Sequence, residues 1–103
     1  GDVYKRQIVC DNLKLNNVTQ TLAVDGTPIS VTEKEFQLLK LLVENKGTTL
    51  KKEYLFNRIW GSDSESELQT LTVHIKWLRE KIEKDSKKPK HIITVWGTGY
   101  RYE

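Results

Sequence analysis

Apolar and polar positions change period three times along the chain. Over residues 8–31 the apolar pieces are short. Residues 8–10 and 13–15 flank Asp11-Asn12, and Asn16-Asn17 is a turn signal. Thr21-Leu22-Ala23-Val24, then Asp25-Gly26, then Thr27-Pro28-Ile29-Ser30-Val31 reads as a hairpin. Asp-Gly suits the positive φ angles of a tight two-residue turn. Ile29 and Val31 alternate with Ser30, as in a half-buried strand.

From residue 32 the period becomes helical. Thr32 with Glu35 three residues on forms a capping box, and Glu33 and Glu35 suit the positive end of the helix dipole. Phe36, Leu39 and Val43 fall at i, i+3, i+7, widened by Leu38, Leu41 and Leu42, so this helix is central and buried. Asn45-Lys46-Gly47 stops it, with Gly47 the expected C-cap. Residues 48–50 suit a very short strand. A second helix is expected over residues 51–60, with Leu55 and Ile59 on one side and Phe56 and Trp60 beside them, ended by Gly61. Residues 61–67 are polar and acidic, hence a loop. A third helix is expected over residues 68–84, because Leu71, Ile75, Leu78 and Ile82 fall at i, i+4, i+7, i+11. Pro89 and its polar neighbours break it. Residues 91–96 read as a strand, Gly97-Thr98-Gly99 as a turn and Tyr100-Arg101-Tyr102 as the returning strand.

The fold class is therefore α+β: an N-terminal antiparallel β-sheet, three helices and a C-terminal β-hairpin. Helices two and three form a helix-turn-helix with an enlarged turn, and the hairpin is a wing. One compact domain is expected over residues 8–103, with the sheet in 8–31 and the winged helix-turn-helix in 32–103. In helix-turn-helix folds the second helix of the pair enters the major groove.

Placed on a wheel of about 100° per residue, the third helix turns Gln69, Val73, Lys76, Trp77, Glu80 and Lys84 away from the core stripe. Gln can read adenine and Val can meet a thymine methyl. Lys76 and Lys84 reach phosphate or guanine. Thr70 and His74 lie at the border, where backbone phosphate contacts fit. Val73 reads equally as a base contact and as a lone exposed apolar residue. Trp77 reads equally as a DNA contact and as packing against the hairpin or a second copy. Arg79 and Lys81 have solvation, or pairing with Glu83 or Asp85, as the plain alternative.

Charge sharpens this picture. The 103 residues carry a net charge of only +3. Its placement says more. Residues 61–68 hold Asp63, Glu65 and Glu67 alone, net −3. Residues 69–91 hold Lys76, Arg79, Lys81, Lys84, Lys87, Lys88 and Lys90 against Glu80, Glu83 and Asp85, net +4. A basic segment attracts phosphate backbones or acidic surfaces, although a solvated helix face is its commoner meaning. A single thiol, Cys10, excludes an internal disulfide framework and fits a reducing cytosol, so the expected location is cytoplasmic. No apolar run approaches the ~18 residues of a membrane span. His74 and His91 are 17 apart on different elements, which is no metal-ligand spacing. No phosphate loop or nucleophile motif appears, so neither catalysis, a metal nor a cofactor is expected.

Four motifs carry a family resemblance. Val31-Thr32-Glu33-Lys34-Glu35-Phe36-Gln37-Leu38-Leu39 opens the central helix. Leu55-Phe56-Asn57-Arg58-Ile59-Trp60-Gly61 closes the second. The segment from Thr70 through Val73, His74, Lys76 and Trp77 to Ile82 forms the third, and Ile93-Thr94-Val95-Trp96-Gly97-Thr98-Gly99-Tyr100-Arg101-Tyr102 is the hairpin. In this order they resemble the OmpR/PhoB-type winged-helix output domain of two-component response regulators. The resemblance implies binding of promoter DNA as a tandem homodimer on direct repeats, RNA polymerase as a partner, and an upstream receiver domain controlled by phosphorelay. The implied DNA-binding residues are Trp60, Gln69, Thr70, Val73, His74, Lys76, Trp77, Lys81, Trp96, Gly97, Thr98 and Gly99. Asp63, Glu65 and Glu67 would form the polymerase-facing loop, against the plain reading of a solvated acidic loop. Gln69, Trp77 and Trp96 stand where many members carry Arg. Glycine at 97 and 99 is expected from a tight turn and close approach to a groove. An alternative is a winged-helix protein-interaction module anchored by Trp77 and Trp96. Residues 1–7 resemble a translated sequencing adaptor and read as a non-native tail.

Overall fold

The computed structural model describes residues 7–61 and 65–103. The other residues of the expected tail, 1–6, lie outside it. Gln7 itself already pairs with Asn16. Four short antiparallel strands come first: β1 (Gln7–Cys10), β2 (Leu13–Asn16), β3 (Thr21–Val24) and β4 (Thr27–Ile29), neighbours in chain order. Their register aligns Ile8, Leu15, Leu22 and Ile29 in one cross-strand row. That row faces the core, where Leu15 and Leu22 are buried. The turn signals act as read. The Asn16 side chain accepts hydrogen bonds from the amides of Val18 and Thr19 at 2.9 and 3.0 Å. Asp25 and Gly26 both take positive φ, 53° and 80°, as a type I′ hairpin turn needs.

Helix α1 (Glu33–Glu44) starts on the capping box. The Glu35 amide donates to Thr32 Oγ1 at 3.2 Å, and the Thr32 amide donates to Glu35 Oε1 at 3.0 Å. Its buried side holds Phe36, Leu38, Leu39 and Leu42. The expected cap at Gly47 is corrected. Asn45 is the C-cap, and its side chain bonds Leu41 O at 2.8 Å. Gly47, at φ 88°, instead turns the chain so that its amide reaches Tyr102 O at 2.8 Å.

Strand β5 (Leu50–Lys51) leads into α2 (Lys52–Trp60), and α3 spans Gln69–Ile82. The hairpin strands are β6 (Ile92–Val95) and β7 (Gly99–Tyr102), so Trp96 belongs to the turn and not to the strand. The second sheet has the order β5-β7-β6, which makes the wing three-stranded at its base. Helix α3 stops two residues short of Lys84 because Glu83 is needed elsewhere. Its backbone is extended (φ −84°, ψ 144°), and its carboxylate accepts from the amides of Lys90, His91 and Ile92 at 2.8–3.2 Å. One core joins both sheets and all three helices, from Leu13 and Leu15 through Phe36, Leu55, Leu71, Ile75, Leu78 and Ile82 to Ile92 and Tyr102. Every residue of the α3 stripe is buried. Among the described residues no helix is long and apolar enough to cross a membrane.

Candidate nucleic-acid interface

Helix α3 has two sides that do different work. The outward side carries Gln69, Thr72, Val73, Lys76, Trp77 and Glu80, all exposed. Val73 and Trp77, one turn apart, keep 41% and 43% of their surface. Gln69 Nε2 donates to Glu67 Oε2 at 2.9 Å, so the Gln69 side chain ties the start of α3 to the acidic loop. Glu65 and Glu67 are exposed, and Asp63 lies outside the described residues.

Two of the three cations on α3 turn inward. Lys81 sets its ammonium 2.6 Å from Glu35 Oε2, and Glu35 is a carboxylate only 1% exposed. Its ammonium is thus engaged in an ion pair with the interior of the domain. Pairing with Glu83 or Asp85 does not occur. The four-carbon stem reaches past the flank of α3 to the first turn of α1. Burial alone would push the Glu35 carboxyl up, but donation from Lys81 and Thr32 outweighs it and holds the group below the usual carboxylate range. Arg79 is the second. Its Nε and Nη2 bond Ile92 O at 3.0 and 2.8 Å, and Nη2 also reaches Thr94 Oγ1 at 2.8 Å. Burial lowers its pKa, opposed by Tyr100 and Glu83. Arg79 thus fixes the wing against α3. Of the helical cations only Lys76 is on the outward face.

An aromatic ladder crosses from α2 to α3. Phe56 stacks on Trp60 with ring centres 5.4 Å apart, Trp60 meets the His74 ring edge-on at 4.8 Å, and His74 meets Trp77 at 4.9 Å. His74 Nδ1 lies 2.9 Å from Thr70 O, so its ring is held from below. Trp77 therefore packs against its own helix, and neither the hairpin nor a second copy is needed to account for it. Lys34 Nζ bonds Ile59 O at 2.8 Å and secures the last turn of α2 against α1.

The wing turn stands beside the N-terminus of α2. Thr98 N closes the turn on Val95 O at 3.0 Å, and Thr98 O accepts from the Lys52 amide at 3.2 Å. Trp96 at its tip is 90% exposed. Gly97 has φ 79°, so its turn reason holds. Gly99 differs. It is buried, and a Cβ there would lie 2.0 Å from Leu50 O. The close passage of β7 against β5 is by itself enough to require glycine.

Sequence reasoning missed Arg79, Glu83 and Lys34 as organisers of this surface. The helical wheel held a signal for one of them. At about 100° per residue, Arg79 and Lys81 fall about 80° to either side of Leu71, on the flanks of the buried stripe. Among the described residues no group of His, Cys, Asp or Glu is arranged to hold a metal ion.

Residues 26–102 match the family described as "Transcriptional regulatory protein, C terminal". The chain belongs to this OmpR/PhoB-type family of DNA-binding output domains. It is 45% identical over 82 residues to the sensory transduction protein RegX3 of Mycolicibacterium smegmatis, covering 80% of the chain and 36% of that protein. It is 42% identical over 97 residues to the regulatory protein VanR of Enterococcus faecium, covering 93% and 42%. The chain thus spans less than half the length of these relatives. Among solved structures, the response regulator DrrB of Thermotoga maritima, an OmpR/PhoB homologue, superposes with a TM-score of 0.85 at 31% identity, covering 94% of this chain and 44% of that one. The Klebsiella pneumoniae RstA DNA-binding domain, solved in complex with the RstA box, shares the fold with a TM-score of 0.83 at 22% identity, covering 94% and 96%.

Proposed function

We propose that the domain binds double-stranded promoter DNA sequence-specifically, as the output half of a two-component transcriptional regulator. Helix α3 enters the major groove and the wing turn lies near the minor groove. One observation carries the reading. The outward side of α3 is exposed along its length, while the inward side, Arg79 and Lys81 hold the helix against α1 and the wing. A rigid helix with a chemically varied exposed side suits base reading. The RstA DNA-binding domain, of the same fold, was solved in complex with the RstA box.

In this reading Gln69, Val73, Lys76 and Trp77 face the bases or nearby phosphates. Thr70 and Trp60 border the backbone, and His74 positions Trp77. Trp96, Gly97 and Thr98 meet the neighbouring groove. Lys81 and Gly99 are structural. The exposed Glu65 and Glu67, with Asp63, are offered to RNA polymerase. A receiver domain precedes the chain in the whole protein, which pairs as a tandem homodimer on direct repeats in the cytoplasm. The domain acts by binding alone and leaves the duplex chemically intact.

The test is selection of bound duplexes from a random library, followed by titration of the enriched and a scrambled duplex over a range of salt. The enriched site should bind ~10³-fold or more tighter, and both affinities should fall steeply with salt. Equal binding to both duplexes at moderate salt would sink the sequence-specific part. Trp96 is exposed enough to serve as a protein anchor. Duplex binding undetectable even at low salt, with a protein complex lost in Trp77→Ala, would favour that second reading instead.

A further inference from the structure

We infer that Val73 and Trp77 make α3 a reader of thymine methyl groups, so that the bases beneath its middle turns are thymines rather than guanines. The inference rests on the DNA-binding reading above and names the base class which that reading leaves open.

Three observations converge. The commonest specific base contact in the major groove is an arginine or lysine on guanine, and the arginine fork is its bidentate form. The one arginine of α3, Arg79, is spent on Ile92 O and Thr94 Oγ1 at 2.8–3.0 Å and cannot reach a groove without releasing the wing. The outward face has no net charge in its middle, since Lys76 is balanced by Glu80 one turn on. Two of the exposed groups there are apolar: Val73 at 41% and Trp77 at 43%, spaced i, i+4 on one side. The only apolar group that a base pair presents in the major groove is the C5-methyl of thymine. An apolar pair aimed into that groove therefore matches thymine and no other base.

The Trp77 ring is also set in place before any ligand arrives. It leans on His74 at 4.9 Å, which in turn meets Trp60 at 4.8 Å and sits 2.9 Å from Thr70 O. A lone exposed apolar side chain is ordinary. A supported indole one turn from a valine forms a continuous apolar strip. Lys76, beside it, remains to draw the strip toward the phosphates.

The experiment replaces thymine by deoxyuridine, which pairs identically but lacks the methyl. Each thymine of the enriched duplex is exchanged singly, and the unchanged chain is titrated against each product. At one or two adjacent positions affinity should fall about fourfold per methyl, the equivalent of about 0.8 kcal/mol for one buried methyl group. Trp77→Ala and Val73→Ala should bind the thymine and deoxyuridine duplexes nearly alike at those positions. Selection repeated with Trp77→Arg should recover guanine where the unchanged chain recovers thymine. If an enriched site exists and no deoxyuridine exchange changes affinity, the methyl reading is overturned while DNA binding stands. If no duplex is enriched, the DNA-binding reading fails first and takes this inference with it. The deoxyuridine arm uses the unchanged protein, so a variant that fails to fold does not blunt it.

Discussion

Replacing Lys81 by Met tests the interior ion pair and the structural role proposed for Lys81 together. Glu35 is 1% exposed, and its carboxylate has two strong donors, Lys81 Nζ at 2.6 Å and the Thr32 amide at 3.0 Å. Methionine keeps the apolar stem and removes the ammonium. The carboxylate is then buried with a single donor. Breaking a fully buried pair costs about 3–5 kcal/mol. The Lys81 side chain is 30% exposed, so water partly replaces it, and about 2–3 kcal/mol is the fair expectation. For a domain of this size that lowers the melting temperature by roughly 10–20 °C at pH 7.

The pH dependence fixes the cause. The folded Glu35 carboxyl lies below its unfolded value, so its stabilisation is fully present above about pH 4.3 and is lost as pH falls through the folded value. In Lys81→Met the Lys81 contribution is gone while burial remains, so that carboxyl should lie above its position in the parent. The gap between the two proteins should therefore be widest near neutrality and shrink in acid, as Glu35 takes up its proton. Thermal melts by circular dichroism from pH 3 to pH 8, with Glu35→Gln and the double variant completing a cycle, measure this. The salt slope of DNA binding should stay the same in Lys81→Met, because this ammonium neutralises no phosphate. A melting temperature within about 2 °C of the parent at pH 7, or a salt slope shallower by about 1, would refute the reasoning.

Other outcomes follow from the same geometry. Gly99→Ala drives a Cβ to within 2.0 Å of Leu50 O, so the β5–β7 pairing must part. A loss of about 3 kcal/mol or more is expected in denaturant titration, with the wing amides losing exchange protection, whereas Gly97→Ala should cost only about 1 kcal/mol for its positive φ. Glu83→Gln replaces one accepting oxygen by a donor facing the amides of residues 90–92, and should cost about 1–3 kcal/mol. Fast exchange of the Ile92 amide would report it. Lys76→Ala should weaken binding to enriched and scrambled duplexes alike and flatten the salt slope by about 1.

Local signals carried much of the architecture. The Thr32–Glu35 box, the Asp25-Gly26 turn and the four-residue stripe of α3 are each complete within a dozen positions, and each forms as its pattern dictates. What the pattern could not carry was the far end of long side chains. Periodicity fixes the direction of a Cα–Cβ bond, while the Lys81 ammonium sits several bonds further out. Its partner lies 46 residues earlier in the chain. Arg79 and Glu83 likewise find backbone groups of Ile92 and of the two residues before it, which come into place only once the hairpin has closed over α3. The aromatic ladder joins rings from two helices across the acidic loop, so no single stretch displays it. Gly99 shows the same limit. A glycine in a turn motif suggests turn geometry, and only the neighbouring strand reveals that there is no room for a methyl group.

The division of α3 into an inward and an outward side has a consequence for how such domains diverge. In the proposed binding mode, the side chains of α3 that pack against α1 and the wing are not the ones that face the DNA. In that mode positions 72, 73, 76, 77 and 80 form an interchangeable cassette. A new base preference can be written there by substitution alone, with the Glu35–Lys81 link and the Arg79 clamp left as they are. Substitution at those positions should therefore leave the stability of the domain nearly unchanged.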